Sequence, residues 1–257
     1  MNIKLHNIEK SLQYYELLMV RDLETIDEYP LSEEYSFVFW GDDKSKDDLI
    51  NIHIDTGEFN SIHEANEIFD DFYNRFYDEL STRCLFIENK NGEKIATATI
   101  SHANEYGYNC VIDWFAISPK AQGLGLSKPL LSKTLQIARN MGYNKVLLHT
   151  QTHTWLAAKV YLDCGFHPFK TEGNKGWDIL NTIIEHPKLN RFKRLSENEI
   201  YDKLILEIKN ELDKFHKNYT YSVWYIENRK DVYVKEGNKY FYYKYHNEEG
   251  KISLIKQ

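Results

Sequence analysis

Cysteine is scarce in this chain: Cys84, Cys110 and Cys164 are the only three in 257 residues. An odd, sparse set with no Cys-x-x-Cys fits buried thiols in a reducing compartment better than a disulfide framework. The histidines His53, His63, His102 and His153 show no metal-ligand spacing, so no metal is expected. Basic excess is also missing. A formal net charge of -7 argues against nucleic acid or an anionic membrane as the main partner and leans toward a cationic or neutral small ligand. No run approaches the roughly 18 to 20 apolar residues of a membrane span, and the N-terminus lacks the apolar centre and cleavage site of a signal peptide. These absences make the cytoplasm the expected location. Internal repeats and low-complexity tracts are absent as well.

What is present suffices for a packed core: 42% hydrophobic residues, 19 Tyr and 13 Phe against 28% charged residues. The length suits one large domain, or a medium one with a small appendage. Strands are predicted at 13–21 and 35–40, and a helix from Ser45 to about His53. Ser61-x-x-Glu64 reads as a capping box before a helix with Ile62, Ala65, Ile68, Phe69, Phe72 and Phe76 on its apolar face. Asn91-Gly92 between two alternating runs predicts a hairpin of 83–88 with 94–102. The nearly all-apolar stretch 109–117 predicts a central strand. A helix at 127–141, a strand at 145–150, a helix at about 154–163, a short strand after Gly165-Phe166 and a helix at 177–185 complete an α/β protein with a mixed sheet. After Leu189 the character changes. A charged helix over 196–215 and three or four tyrosine-rich strands over 219–257 predict a small helix-and-meander domain at 195–257, separate from a domain spanning 1–190 with an N-terminal extension at 1–40.

At a strand-to-helix junction, Gln122-Gly-Leu-Gly-Leu-Ser127 lets backbone N–H groups approach an anion near a helix N-terminus. By themselves the two glycines leave a phosphate cradle and a plain turn both open, and neither a P-loop nor a full Gly-x-Gly-x-x-Gly is present. Asp113 interrupts the apolar strand and, by alternation, shares a face with Val111 and Phe115. It reads either as a cleft carboxylate able to accept a proton or as an ion-paired edge residue. His149, at the end of its strand, is a second candidate base acting through water, or a structural histidine.

The order hairpin, apolar strand ending Ala116-Ile117-Ser118-Pro119, Lys120-x-x-Gly123-x-Gly125, amphipathic helix, strand, then Ala157-x-x-x-Tyr161-x-x-x-Gly165-Phe166 resembles the GNAT superfamily of acyl-coenzyme A-dependent N-acyltransferases over residues 80–170. Arg83-Cys-Leu-Phe-Ile-Glu-Asn, Leu148-His-Thr-Gln-Thr152 and Gly57-Glu-Phe59 resemble a bacterial branch of undefined substrate. The resemblance implies a central sheet splayed open at its middle and acetyl-coenzyme A as co-substrate. It implies cofactor contacts from Phe115, Ala116 and Ile117, from Gln122, Gly123, Leu124, Gly125, Leu126 and Ser127, and from Thr154 and Ala157. Lys120 stands where the family has Arg or Gln, and Thr154 where it often has Asn. Tyr161 occupies the position of the family's general acid, with aromatic packing as the alternative. Glu58 and Phe59 fall in the loop that borders the acceptor side, where Glu58 would meet a cationic amine or simply face solvent. The implied reaction is direct transfer of an acetyl group to a small primary amine. The alternatives are an acyl-coenzyme A-binding regulatory protein, and a protein-modifying enzyme with 195–257 as recognition module. The aromatic strands 225–245 carry interleaved Lys230, Lys235, Lys239 and Lys244, but also acids, so a packing or homodimer surface is expected there rather than base stacking.

Overall fold

A computed structural model describes residues 12–41, 44–59, 61–195, 208–226, 229–248 and 251–256. Seven strands form one mixed sheet: β1 (Glu16–Asp22), β2 (Tyr35–Phe39), β3 (Cys84–Asn89), β4 (Lys94–Glu105), β5 (Tyr108–Ile117), β6 (Lys145–Gln151) and β7 (His167–Phe169). Their order is β2-β3-β4-β5-β6-β1-β7, with β5 and β6 parallel. Helices α1 (Ser45–Thr56), α2 (Ile62–Tyr73), α3 (Leu80–Arg83), α4 (Ser127–Asn140), α5 (Trp155–Asp163) and α6 (Gly176–Ile183) follow the chain. Strands β8 (Tyr219–Ile226), β9 (Arg229–Glu236), β10 (Lys239–Glu248) and β11 (Lys251–Lys256) form a second, four-stranded sheet with all pairs antiparallel. Of the helix predicted over 196–215, residues 196–207 lie outside the described residues. The part that is described packs Ile208 and Leu212 against Val232, Val234 and Tyr243. Among the described residues no helix is long and apolar enough to cross a membrane.

The chain divides into two compact units. One comprises 18–149 with 160–169, and the other takes the remaining described residues. The first carries most of the large sheet, and side-chain alternation explains its two cores. Along β3, Cys84 and Phe86 enter a cluster with Leu49, Phe69 and Tyr73 of α1 and α2, while Leu85 and Ile87 enter one with Leu126 and Leu130 at the start of α4. A strand buried on both faces needs the continuous apolar run that the sequence supplies. The β3–β4 turn is fixed by Asn89, whose side-chain oxygen accepts from the N–H groups of Asn91 (2.9 Å) and Glu93 (3.1 Å).

Ser61 caps α2, its hydroxyl accepting from the Glu64 N–H at 3.1 Å. The buried stripe that follows is Ala65, Phe69, Tyr73 and then Phe76, whereas Ile62 and Ile68 are 60% and 40% exposed. The expected apolar face was therefore too wide. Ile68 sits about 100° around the helix from Phe69, and Tyr73, four residues beyond Phe69, takes the inward position.

Candidate active site

In β4 and β5, Thr99 pairs with Asp113 and Thr97 with Ala116, so Ala98 alone opposes both Trp114 and Phe115. This is a β-bulge, and Trp114 adopts φ 50 within it. A bulky side chain in the left-handed region is strained by about 1–3 kcal/mol and persists only where its surroundings hold it. The extra residue resets the alternation. Asp113 faces α2, where it lines a cleft with Phe72 and Arg75, and Trp114 joins the same side, packing on Tyr73 at 5.4 Å. Phe115 turns to the opposite face, into the cluster containing Leu130, 5.6 Å from the Tyr161 ring. The expectation that Asp113 and Phe115 share a face is overturned, because period-two reasoning fails across an inserted residue. On the other side of β5, pairing with β6 is confined to Val111–Leu147 and Ile112–Leu148. Beyond Ile112 the two strands part, which leaves the β6-facing edge of 113–117 without a strand partner among the described residues.

The bulge is held from α1. His53, buried to 1% exposure, places Nε2 3.3 Å from the Trp114 carbonyl oxygen and Nδ1 2.5 Å from a Glu58 carboxylate oxygen. Phe59 packs on the Trp114 ring at 5.3 Å. Burial raises the Glu58 carboxyl, but the charge and hydrogen bond of His53 outweigh it and hold the group below its ordinary range. The two residues expected to meet the acceptor are thus placed against His53 and Trp114.

The cleft beside Asp113 has a volume of about 350 Å³ and is lined by residues that include Phe72, Arg75, His102, Glu105, Asp113 and His149. Burial pushes the Asp113 carboxyl up to about 6; Ser101 and His149 pull it down, and Glu105 pushes it further up. A carboxylate so tuned can accept a proton near neutral pH. His149 Nε2 is engaged by Glu105 at 2.8 Å. On the opposite face, Tyr161 lies near the end of α5, and that end is locked by a Schellman motif. The Phe166 N–H donates to the Tyr161 carbonyl (3.0 Å) and the Gly165 N–H to that of Leu162 (3.2 Å), with Gly165 at φ 95. Burial, then the negative charges of Glu58, Asp113 and Cys164, raise the Tyr161 phenol well above its ordinary value, so it stays protonated. Its hydroxyl has no hydrogen-bond partner among the described residues.

After β5, a single 3₁₀ turn over Pro119–Ala121 leads to Gly123 (φ 78) and Gly125 (φ 75), then α4. Both glycines need the left-handed region, and a side chain at either would meet nothing within 4 Å, so conformation rather than crowding selects glycine. Leu126 gives α4 no side-chain cap, which leaves first-turn N–H groups directed out of the helix, as an anion requires. Gln122 is less available: its N–H donates to the Pro119 carbonyl (3.4 Å) and its amide to that of Ile117 (3.2 Å). Lys120 forms an ion pair with Glu93 of the hairpin turn. Thr154 and Ala157 belong to the other compact unit, where the Thr154 hydroxyl forms a capping box with Gln151 and Ala157 is half-buried.

The model of the Acetyltransferase (GNAT) family matches residues 46–166, from the start of α1 to the Schellman phenylalanine. Residues 46–166 belong to the GNAT family. Among solved structures, a GCN5-related N-acetyltransferase from Sphaerobacter thermophilus aligns with a TM-score of 0.51 at 14% identity, over 62% of this chain and 49% of that one. An acetyltransferase of the GNAT family from Colwellia psychrerythraea aligns at 0.46 and 13%, over 60% and 53%. A tandem GNAT protein from the clavulanic acid biosynthesis pathway aligns at 0.43 and 15%, over 63% and 52%. The chain spans about half the length of these structures, and the likeness is one of fold. No curated protein matches it. Within this GNAT fold, sequence reasoning missed His53, Phe72, Arg75 and Glu105. They come from α1, α2, the turn after α2 and the end of β4, and no local motif links them. The one available signal was Gly57, whose φ of 77 turns the chain after α1 and brings Glu58 back to His53.

Proposed function

We propose that the protein is an N-acetyltransferase that moves the acetyl group of acetyl-coenzyme A onto a primary amine within a ternary complex. The observation that carries this reading is the bulge at Trp114, because it separates Asp113 from the Phe115–Tyr161 contact across one opened strand, which supports Asp113 as proton acceptor and Tyr161 as proton donor. Asp113 faces the cleft, and Phe115 contacts Tyr161 on the other side. The edge of 113–117 would hold the pantetheine arm and the acyl carbonyl through main-chain groups, and the N–H groups from Gly123 to Ser127 would take the pyrophosphate. The amine nitrogen forms a bond to the thioester carbon, its proton passes to Asp113, and the carbon–sulfur bond breaks. The departing thiolate takes the electron pair and is met by the phenol of Tyr161. With its pKa raised, the phenol acts chiefly as a permanent hydrogen-bond donor to the sulfur. Each cysteine is buried, with its thiol pushed well up by that burial, so attack by the amine needs no cysteine relay.

Three measurements test this. Acetyl-coenzyme A should raise the melting temperature, and failure to do so would refute the reading. A panel of amines should give thiol release; binding without release across the whole panel would favour a regulatory acyl-coenzyme A-binding protein instead. Tyr161→Phe should lower kcat by about 100-fold with little change in acetyl-coenzyme A affinity, and full turnover in that variant would remove the phenol from the chemistry.

A further inference from the structure

A β-bulge leaves carbonyl and N–H groups outside the ladder, and each needs another partner. At Trp114 that partner comes from a different element, the last turn of α1. A backbone carbonyl can only accept, so the nitrogen 3.3 Å from it, His53 Nε2, carries a hydrogen and donates. The other ring nitrogen faces the Glu58 carboxylate at 2.5 Å and donates to it. The ring orientation is therefore set from both ends. Local structure explains how the pair forms. Gly57 closes α1 in the left-handed conformation, its N–H reaching the His53 and Ile54 carbonyls, and the Glu58 N–H donates to the His53 carbonyl at 3.2 Å. The chain folds back, so residues five apart in sequence meet side chain to side chain. The indole is wedged at the same time: the His53 ring stands edge-on to it at 4.8 Å, with Phe59, Tyr73, Phe69 and Phe72 between 5.3 and 6.2 Å. A tryptophan at φ 50 needs such surroundings.

We propose that His53, oriented by Glu58, is a positioning residue that clamps the Trp114 carbonyl, holds the bulge in its strained conformation and thereby aims the main chain of 114–117 at the acyl carbonyl of acetyl-coenzyme A. This rests on the acyltransferase reading above. It assigns Glu58 a role through His53 rather than through the acceptor amine. The clamp should act on acyl recognition more than on pyrophosphate binding, since Leu126 of the loop packs into the cluster on the opposite face of the sheet from α1.

The test is a comparison of coenzyme A with acetyl-coenzyme A. Dissociation constants for both are measured by calorimetry on the full chain for wild type, His53→Ala, Glu58→Ala and Glu58→Gln, alongside steady-state kinetics. Wild type should prefer the acetylated form. In His53→Ala and Glu58→Ala that preference should shrink by about fivefold, roughly one lost hydrogen bond, while the affinity for coenzyme A itself stays within twofold. Glu58→Gln should restore most of the preference, because its amide can donate to Nδ1 while Nε2 keeps its hydrogen. Glu58 is half-exposed, so its variants should fold even if His53→Ala does not. An intact preference in Glu58→Ala overturns the clamp and leaves the acyltransferase reading standing. So does an equal rise in amine KM for Glu58→Ala and Glu58→Gln with the acetyl preference untouched, since that pattern belongs to a direct acceptor contact. Wild type that binds neither ligand overturns both.

Discussion

Replacing Asp113 with asparagine should stabilise the protein at alkaline pH and remove its activity. Burial is the main reason the Asp113 carboxyl rises from 3.8 to about 6. The folded state therefore holds this proton more tightly than the unfolded chain does. Below about pH 3 the group is protonated in both states and carries no penalty. As pH rises from about 4 to 6, the unfolded state ionises first, and stability falls. Above about 6 the penalty is complete, two pKa units or about 3 kcal/mol. Asparagine is nearly isosteric and never ionises, so Asp113→Asn should lie within about 0.5 kcal/mol of wild type at pH 4 and exceed it by up to about 3 kcal/mol at pH 8. Urea denaturation of both proteins at the two pH values reads this directly, with unchanged m-values confirming that only stability has moved. The same variant should lose about 100-fold or more in kcat/KM, together with the acid limb expected for wild type near pH 6. A stability difference that is the same at pH 4 and pH 8, or a variant weaker than wild type at pH 8, would refute the assignment of a buried, proton-accepting carboxylate.

One substitution and one labelling experiment probe the rest of the fold. Gly165→Ala forces an L-residue to φ 95 and brings its Cβ to 2.5 Å from the Arg21 guanidinium, which is itself anchored to the Thr25 carbonyl at 2.6 Å. A loss of about 2 kcal/mol or more is expected, with reduced kcat as Tyr161 shifts; unchanged thermal stability would show that the Schellman turn has slack. All three cysteines are buried, and burial pushes Cys84, Cys110 and Cys164 to about 11, 12 and 11. At pH 8 a disulfide reagent should find no fast-reacting thiol in the folded protein and three in denaturant, and one fast equivalent in the native state would contradict this.

Much of the architecture was legible locally. Asn-Gly in the 89–93 turn announced the β3–β4 hairpin because the left-handed position there suits glycine and Asn89 can bond its own turn. Ser61 announced α2 through its hydroxyl, and Gly165-Phe166 marked the end of α5. The strands of the second sheet were legible from the turns that divide them. The inside face of α2 was less so, because several apolar residues competed for one stripe and packing chose Tyr73 over Ile68. The glycine loop was recognisable as a segment. The commitment of Gln122 to Pro119 and Ile117, and of Lys120 to Glu93, was not, since each depends on a neighbour brought in by the fold.

Sequence by itself determined the elements, their order, and the presence of Asp113, Tyr161 and the Gly123–Gly125 loop within a GNAT-type arrangement, because caps, turns and periodicity are encoded within a few residues. Tertiary structure alone decided which way those residues face. One extra residue between Ala98 and its partners separates Asp113 from Phe115, and the strained Trp114 at that point is held by a histidine 61 positions earlier in the chain. Strand alternation carries no record of a bulge, and a contact across that distance exists only once α1 has packed against the sheet.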